Sequence, residues 1–444
     1  MTAWFVPRTI LLATIHILST QMTCRAQEKL TLSDAIAQAL QYNFSLNISR
    51  DSARVAANNN TAGNAGELPQ VGAFGGVSTA RNNIHQAFSG RPNVITRGAG
   101  STNESSSLQV NYVLFNGLKM FAARKRLQEL EYLGRNTSNL QVESVVSSVM
   151  ASYFNVLRVI QNELVSNESI KINDERIKIA QTKFQVGAGN KIDLLQAEVD
   201  RNQSESIFMA QQITLDSAKI FLNQLIGKQA EADWEPADTS LDVKFLPTYV
   251  SLLDSATKNS FALRSAASVV RLSEFTLRTV RADQYPVIAA NAGYYYNLSK
   301  NSAGFSLYNQ SVGPQVGFTL NWNVFNGGDV RRRIKNATLT RHIAELQYQN
   351  TYTLLVAQLS AQYKNYENLL ATLKLEERNV TVARENLNIA LAKYRLGAST
   401  QIDLMTAEQS LTASLNRLVL ARFKAKIAET NLYRLSGALV VHPA

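Results

Sequence analysis

The chain carries one segment twice, and that constrains its fold more than any other feature. KFQVGAGNKIDLLQAE, residues 183–198, returns as KYRLGASTQIDLMTAE, residues 393–408, with eight of the sixteen aligned positions identical; average composition gives about one by chance. Each copy ends a helical run near an aromatic residue, Phe184 or Tyr394. It then passes a glycine, Gly187 or Gly397, and restarts on Ile192-Asp193-Leu194 or Ile402-Asp403-Leu404. Glycine adopts the positive φ that stops a helix, and a carboxylate suits the positive end of the next one. Each copy therefore reads as the tip of a helical hairpin. The 210-residue offset persists beyond the tips: Phe115-Asn116-Gly117 returns as Phe325-Asn326-Gly327, and Leu225 and Gly227 as Leu435 and Gly437. A unit near 200 residues is too long for a solenoid repeat. The expectation is a single domain over 27–444 made of two half-structures, about 30–230 and 248–437, joined by a linker at 227–248.

Residues 1–26 read as a secretory signal peptide: Arg8 supplies the charge, Ile10 to Leu18 the apolar run, and Cys24-Arg25-Ala26 the cleavage site. Lipidation at Cys24 is the alternative, though Gln21-Met22-Thr23 makes a poor lipobox. Cleavage leaves no cysteine and lowers the net charge from +11 to +9, since Arg8 and Arg25 depart. A basic chain invites a nucleic-acid reading, but a secretory leader and the lack of an aromatic-basic recognition motif argue against it. No run of about 18 apolar residues follows the leader, so no membrane-spanning helix is expected.

Residues 30 to about 66 read as a helix, started by Thr31-Leu32-Ser33-Asp34, faced by Ala35, Ile36, Ala39, Leu40 and Leu46, and ended by Pro69. Leu252 to Arg281 and Pro286 are its counterparts, here at an offset of 217. Between each proline and each Phe-Asn-Gly the period becomes two. Leu108, Val110, Tyr112 and Leu114 alternate with Gln109 and Asn111. Val316, Phe318, Leu320, Trp322 and Val324 alternate with Gln315, Gly317, Thr319, Asn321 and Asn323. Partner strands are fainter, over 70–79 and 288–297, and the Asn-, Ser- and Gly-rich stretches 80–104 and 298–313 read as loops. Strands of about ten residues, apolar on one face and polar on the other, fit an outer-membrane barrel; a soluble sandwich is the blander reading.

After each Phe-Asn-Gly comes a proline-free helical pattern, about 118–185 and 328–395, and then a shorter return helix, about 190–226 and 400–436. Each long run would reach roughly 100 Å. The stripe Val142, Val145, Val149, Tyr153, Val156, Ile160 and Leu164 has a period near 3.67, that of a straight helix rather than a left-handed coiled coil. The return helices are too short to line the long ones, so the helices beginning near Thr31 and Leu252 must continue them.

Four strands cannot close a barrel, and an open edge in lipid leaves backbone groups unsatisfied at several kcal/mol each. Two, three or four chains would supply about 8, 12 or 16 strands, and an open channel favours three or more.

The duplication, the paired strand-to-helix junctions and the two tips together resemble the TolC-like outer-membrane efflux protein family over essentially the whole mature length. That resemblance implies a mixed α+β membrane protein, a homotrimer with one 12-stranded barrel in the cell outer membrane and a long helical tunnel across the periplasm. It implies tips that dock on a periplasmic adaptor serving an inner-membrane efflux or type I secretion pump. Residue by residue, Val186, Gly187 and Ala188, with Leu396, Gly397 and Ala398, match the adaptor-contacting tips. Tyr394 and Asp403 match tunnel-entrance residues, but Thr406 stands at a second aspartate position and Ser399 at an expected arginine. The residues also allow plainer roles: Gly187 and Gly397 as helix ends, Asp193 and Asp403 as helix starts.

Two basic clusters follow the junctions, Lys119, Arg124, Lys125 and Arg126, then Arg331, Arg332, Arg333 and Lys335. They read as a belt against outer-membrane lipid head groups or as solvated helix faces. Catalysis and cofactors find no support. His85, His342 and His442 have no metal spacing, Gly187 to Lys191 lacks the residues of a phosphate loop, and there is no Gly-x-Ser-x-Gly elbow. The expectation is a passive export channel for drugs, small molecules or peptides. Competing classes are an adhesive coiled-coil surface protein with a β anchor, which sustained heptads and a terminal anchor would mark, and a soluble secreted enzyme.

Overall fold

The computed structural model describes residues 29–243 and 246–439. The signal peptide read over 1–26, Cys24 and His442 lie outside them. In chain order the elements are β1 (Lys29–Leu30), α1 (Leu32–Tyr42), α2 (Phe44–Asn59), α3 (Ala62–Ala65), β2 (Gln70–Phe88), β3 (Arg91–Phe115), α4 (Lys119–Gln185), α5 (Lys191–Ile226), β4 (Glu235–Pro236), α6 (Tyr249–Asn259), α7 (Phe261–Ala282), β5 (Val287–Asn301), β6 (Tyr308–Asn321), α8 (Asp329–Arg395) and α9 (Gln401–Leu435). Short helices, a strand pair, a long helix and a return helix come twice, the signature of a duplicated mixed α+β fold.

The long helices α4 and α8 each hold 67 residues, about 100 Å at 1.5 Å per residue. Both begin just after Phe-Asn-Gly, with Leu118 and Gly328 as N-caps and the asparagine side chain accepting from an amide of the first turn. Asn116 Oδ1 accepts from the Met120 amide at 3.2 Å, and Asn326 Oδ1 from the Val330 amide at 3.5 Å. The chain turns through left-handed residues, Gly117 and Leu118 at the first junction, Gly327 and Gly328 at the second. Of the α4 stripe, Val145, Val149, Tyr153 and Val156 are buried and Val142 and Ile160 pack against them, whereas Leu164 is exposed. This core joins α1, α4 and α5 to the linker, where Trp234 is fully buried and its indole donates to Asn223 at 2.8 Å.

The expected helix over 30–66 is broken twice, and its counterpart over 252–281 once. Asn43 ends α1 and caps α2, accepting from the Leu46 amide while its Nδ2 donates to the Leu225 carbonyl at 2.9 Å. Ser260 likewise separates α6 from α7. The breaks have a packing cause: Gly227, ending α5, lies against Tyr42, and Gly437, just past α9, against Asn259. Added Cβ atoms would come within 2.5 and 2.9 Å of those side chains. Each return helix thus butts against a kink, and α2 carries on along α4 where α5 stops.

The sheet is antiparallel in the order β2-β3-β5-β6, with β2 and β6 as unpaired edges. All four connections to helices leave from one end of it. Cross-strand register puts Val71, Val110, Ala292 and Val316 in one row of a single face, with Tyr112, Ala290 and Phe318 in the next; Gln109, Asn111, Asn291, Gln315 and Asn321 face the other way. The strands run to 19, 25, 15 and 14 residues rather than about ten. The stretch 80–104 is mostly ribbon, because a turn at Ser89-Gly90, with Gly90 at φ +78°, lets each arm satisfy the other's backbone whatever its side chains. Asn321 instead ends β6 early, paired with the first residue of β5, so Trp322 and Val324 leave the strand.

Candidate functional site

Each hairpin tip is built by its backbone. Gly187 and Gly397 sit at φ +75° and +74°. In the first tip the Ala188 amide donates to the Lys183 carbonyl at 2.8 Å and Gly187 to Phe184 at 3.1 Å. In the second, Ala398 donates to Lys393 at 2.9 Å and Gly397 to Tyr394 at 3.1 Å. This pair of bonds closes a helix on a left-handed glycine. It leaves Val186, Gly187, Ala188, Leu396, Gly397 and Ala398 exposed, Val186 at 71% and Leu396 at 83%. The next helices restart on capped ends: Asn190 accepts from the Asp193 amide at 2.9 Å, and Thr400 from the Asp403 amide at 3.2 Å.

The two tips lie side by side. Lys183 Nζ sits 3.9 Å from the centre of the Tyr394 ring and also donates to the Tyr394 carbonyl. Arg395 reaches Glu175 at 2.8 Å. Tyr394 is buried beside Leu387, Leu404 and Leu411. Burial, and then the nearby Asp193 carboxylate, push its phenol above the usual range. Asp403 is exposed, and its carboxylate completes a capping box by accepting from the Thr400 amide at 2.9 Å and hydroxyl at 2.8 Å. Those bonds, the amide first, hold it below the usual carboxylate range. Tyr394 and Asp403 therefore belong to one tip, but Asp403 already has structural work.

A polar cluster that sequence reasoning missed lies eleven residues before Gly187, about 16 Å along α4. Arg176, 1% exposed, bridges Asp200 of α5 at 2.9 Å and Glu408 of α9 at 3.0 Å. Asn173 and Ser169 donate to the same Glu408 at 2.6 and 3.1 Å. Burial pushes Glu408 up, with Arg176 pulling against it. The cluster ties the first hairpin to the second and lines a cavity of about 320 Å³. Arg176 and Glu408 are 232 residues apart. The sequence hides the cluster, because Arg176 stands among Lys171, Asp174, Glu175 and Lys178 in a segment whose charges read as a solvated helix face.

At the sheet end, the basic belt is partly neutralised. Lys119 and Arg333 bind Asp283 at 2.8 and 2.7 Å, while Arg332 and Arg333 bind Asp329 at 2.6 and 2.8 Å. Burial works to raise Asp283, yet these two cations hold it below its usual range. Arg124 and Arg126 are half-buried, with Arg124 Nη1 unpartnered. Lys125, Arg331 and Lys335 are exposed and without a carboxylate partner among the described residues.

Comparison with known proteins agrees with this layout. The family model described as outer membrane efflux protein matches residues 35–228 and 252–438. The outer membrane efflux protein BepC of Brucella suis biovar 1 is 21% identical over 437 residues, 96% of this chain and 90% of BepC. The outer membrane protein TolC of Escherichia coli K12 is 22% identical over 389 residues, 84% of this chain and 75% of TolC. The crystal structure of VceC, an outer membrane protein of Vibrio cholerae, superposes with a TM-score of 0.74 at 19% identity, covering 91% of this chain and 96% of VceC. At that identity the likeness speaks to the fold alone.

Proposed function

The chain belongs to the outer membrane efflux protein family, and from that premise we propose that it is a passive trimeric conduit carrying drugs, small molecules or peptides across the outer membrane. One observation carries the proposal: a four-stranded sheet with both edges unpaired, apolar on one face and polar on the other, at the end of helices about 100 Å long. In lipid such edges must be paired, and three copies complete about 12 strands around a polar lumen. The helices then extend the lumen through the periplasm. The exposed tips, Val186 to Ala188 and Leu396 to Ala398, suit docking on a periplasmic adaptor, since Gly and Ala on tight turns allow close approach beside the exposed apolar Val186 and Leu396. That adaptor would connect the conduit to an inner-membrane pump, which supplies the energy. Family membership supports a channel over an enzyme. The unpaired Lys125, Arg331 and Lys335 suit anionic head groups where the helices leave the sheet.

The deciding experiment purifies the protein from native membranes in detergent and measures mass by light scattering and conductance in planar bilayers. Three chains per particle and ion-conducting steps are expected. A monomer, or a trimer that never conducts, overturns the reading.

A further inference from the structure

We propose that the far end of the sheet is a docking surface for phosphate-bearing lipid head groups of the leaflet away from the helices. The inference rests on the sheet crossing the membrane, as proposed above. All helix connections leave the sheet from one end, so its two hairpins mark the opposite side of the bilayer.

Register shows where the apolar face stops. From the Ile288–Leu320 row to the boundary row, where Val77 and Leu298 stand beside the polar Glu104 and Gln310, β5 advances ten residues. That is roughly 33 Å along the strand, or about 25 Å of membrane thickness at the tilt usual in barrels, the height of a typical lipid-facing band. The very next row on this face carries Lys300, flanked by Thr102 and Tyr308, and the row beyond it carries Arg81 opposite Gly100. Both cations thus stand on the lipid-facing side within two rows of the apolar edge, where head-group phosphates lie.

Beyond Ser101 the sheet narrows to the β2–β3 ribbon, because β5 and β6 turn back at 302–307. The ribbon adds Arg91 and Arg97. Arg81, Arg91 and Arg97 are exposed, and neither they nor Lys300 makes an ion pair among the described residues. Between residues 69 and 118, and between 286 and 328, Glu104 is the one carboxylate. At the other end of the sheet Asp283 and Asp329 answer Lys119, Arg332 and Arg333; no carboxylate among the described residues answers any of these four. Unanswered arginines beside an apolar band match a surface of fixed phosphates, which guanidinium binds bidentately.

The test uses the full-length protein in detergent micelles doped with bis-phosphorylated lipid A or its dephosphorylated form, with bound lipid counted by native mass spectrometry. Wild type should retain the phosphorylated lipid preferentially. Changing Arg81, Arg91, Arg97 and Lys300 to Gln should weaken retention roughly fivefold for each charge removed. Arg81→Lys, Arg91→Lys and Arg97→Lys together should restore most of it. Equal retention of the two lipids overturns the proposal, since apolar contact then suffices. Retention untouched by the Gln changes also overturns it, because other cations then hold the lipid. Bilayer conductance on the same preparations separates the two readings. A conducting channel without phosphate preference removes only this inference, whereas a protein that does not insert removes both.

Discussion

At the scale of single residues, the two copies of one motif are under different constraint. Gly117 and Gly327 share a sequence context and a left-handed φ, +69° and +66°. A Cβ on Gly117 would lie 2.6 Å from the Ala282 carbonyl oxygen and 2.9 Å from Tyr285, whereas one on Gly327 meets nothing within 4 Å. Gly327→Ala should therefore cost about 1–2 kcal/mol, the left-handed penalty alone. Gly117→Ala should cost about 2–5 kcal/mol, because overpacking adds to it. Thermal melting in detergent checks the order, and equal losses would refute it. Glu143 is another residue whose environment the sequence concealed. It is 6% exposed in the α4 core, Oε1 finds no donor, and burial pushes its carboxyl up to about 7 with Arg434 opposing. A folded-state value above the unfolded one means a stabilising contribution complete below about pH 4.5 and lost as pH rises through about 7. Glu143→Gln mimics the protonated acid, so it should stabilise the protein by up to ~3 kcal/mol at pH 8 and barely at pH 4. Stability curves that stay parallel across this range would rule out the titration.

At the scale of elements, the long helices were legible and their partners less so. Periodicity without a proline marked α4 and α8 to within a residue, since 3.6-residue spacing over some 67 positions leaves little freedom. The breaks at Asn43 and Ser260 escaped, because neither Gly nor Pro marks them and their cause is the end of another helix. The ribbon over 80–104 escaped because backbone pairing, not side-chain preference, holds it. The hairpin-to-hairpin tie at Arg176 is also an element-scale feature. Arg176→Met leaves the buried Glu408 and the half-buried Asp200 without their cation, a loss of about 3–5 kcal/mol at such sites. Amide exchange in α9 around Glu408 should rise, and the double change with Glu408→Met should recover much of the protection. Unchanged exchange in Arg176→Met would show that apolar contacts alone hold α9.

At the scale of the whole molecule, the proposed trimer would give Asp403 a second role. In a single copy it caps α9 and is held below the usual carboxylate range, so it stays ionised near neutrality. Around a threefold axis, three such carboxylates would repel one another and favour cations. Asp403→Asn keeps the cap's oxygen acceptor and removes the charge. It should raise conductance or weaken divalent-cation block in planar bilayers, and identical currents would confine Asp403 to capping.

Sequence alone determined the duplication, the long helices, the alternating strand faces and the glycine-closed tips, because each is a matter of period or of local backbone preference. It also determined that the strands were too few to close a barrel. Tertiary structure decided which helix continues which, how far the hairpins project, and which charges find partners. Those outcomes depend on surfaces brought together from opposite halves of the chain: Arg176 meets Glu408, Gly227 meets Tyr42, and Lys119 meets Asp283 only once the copies are packed.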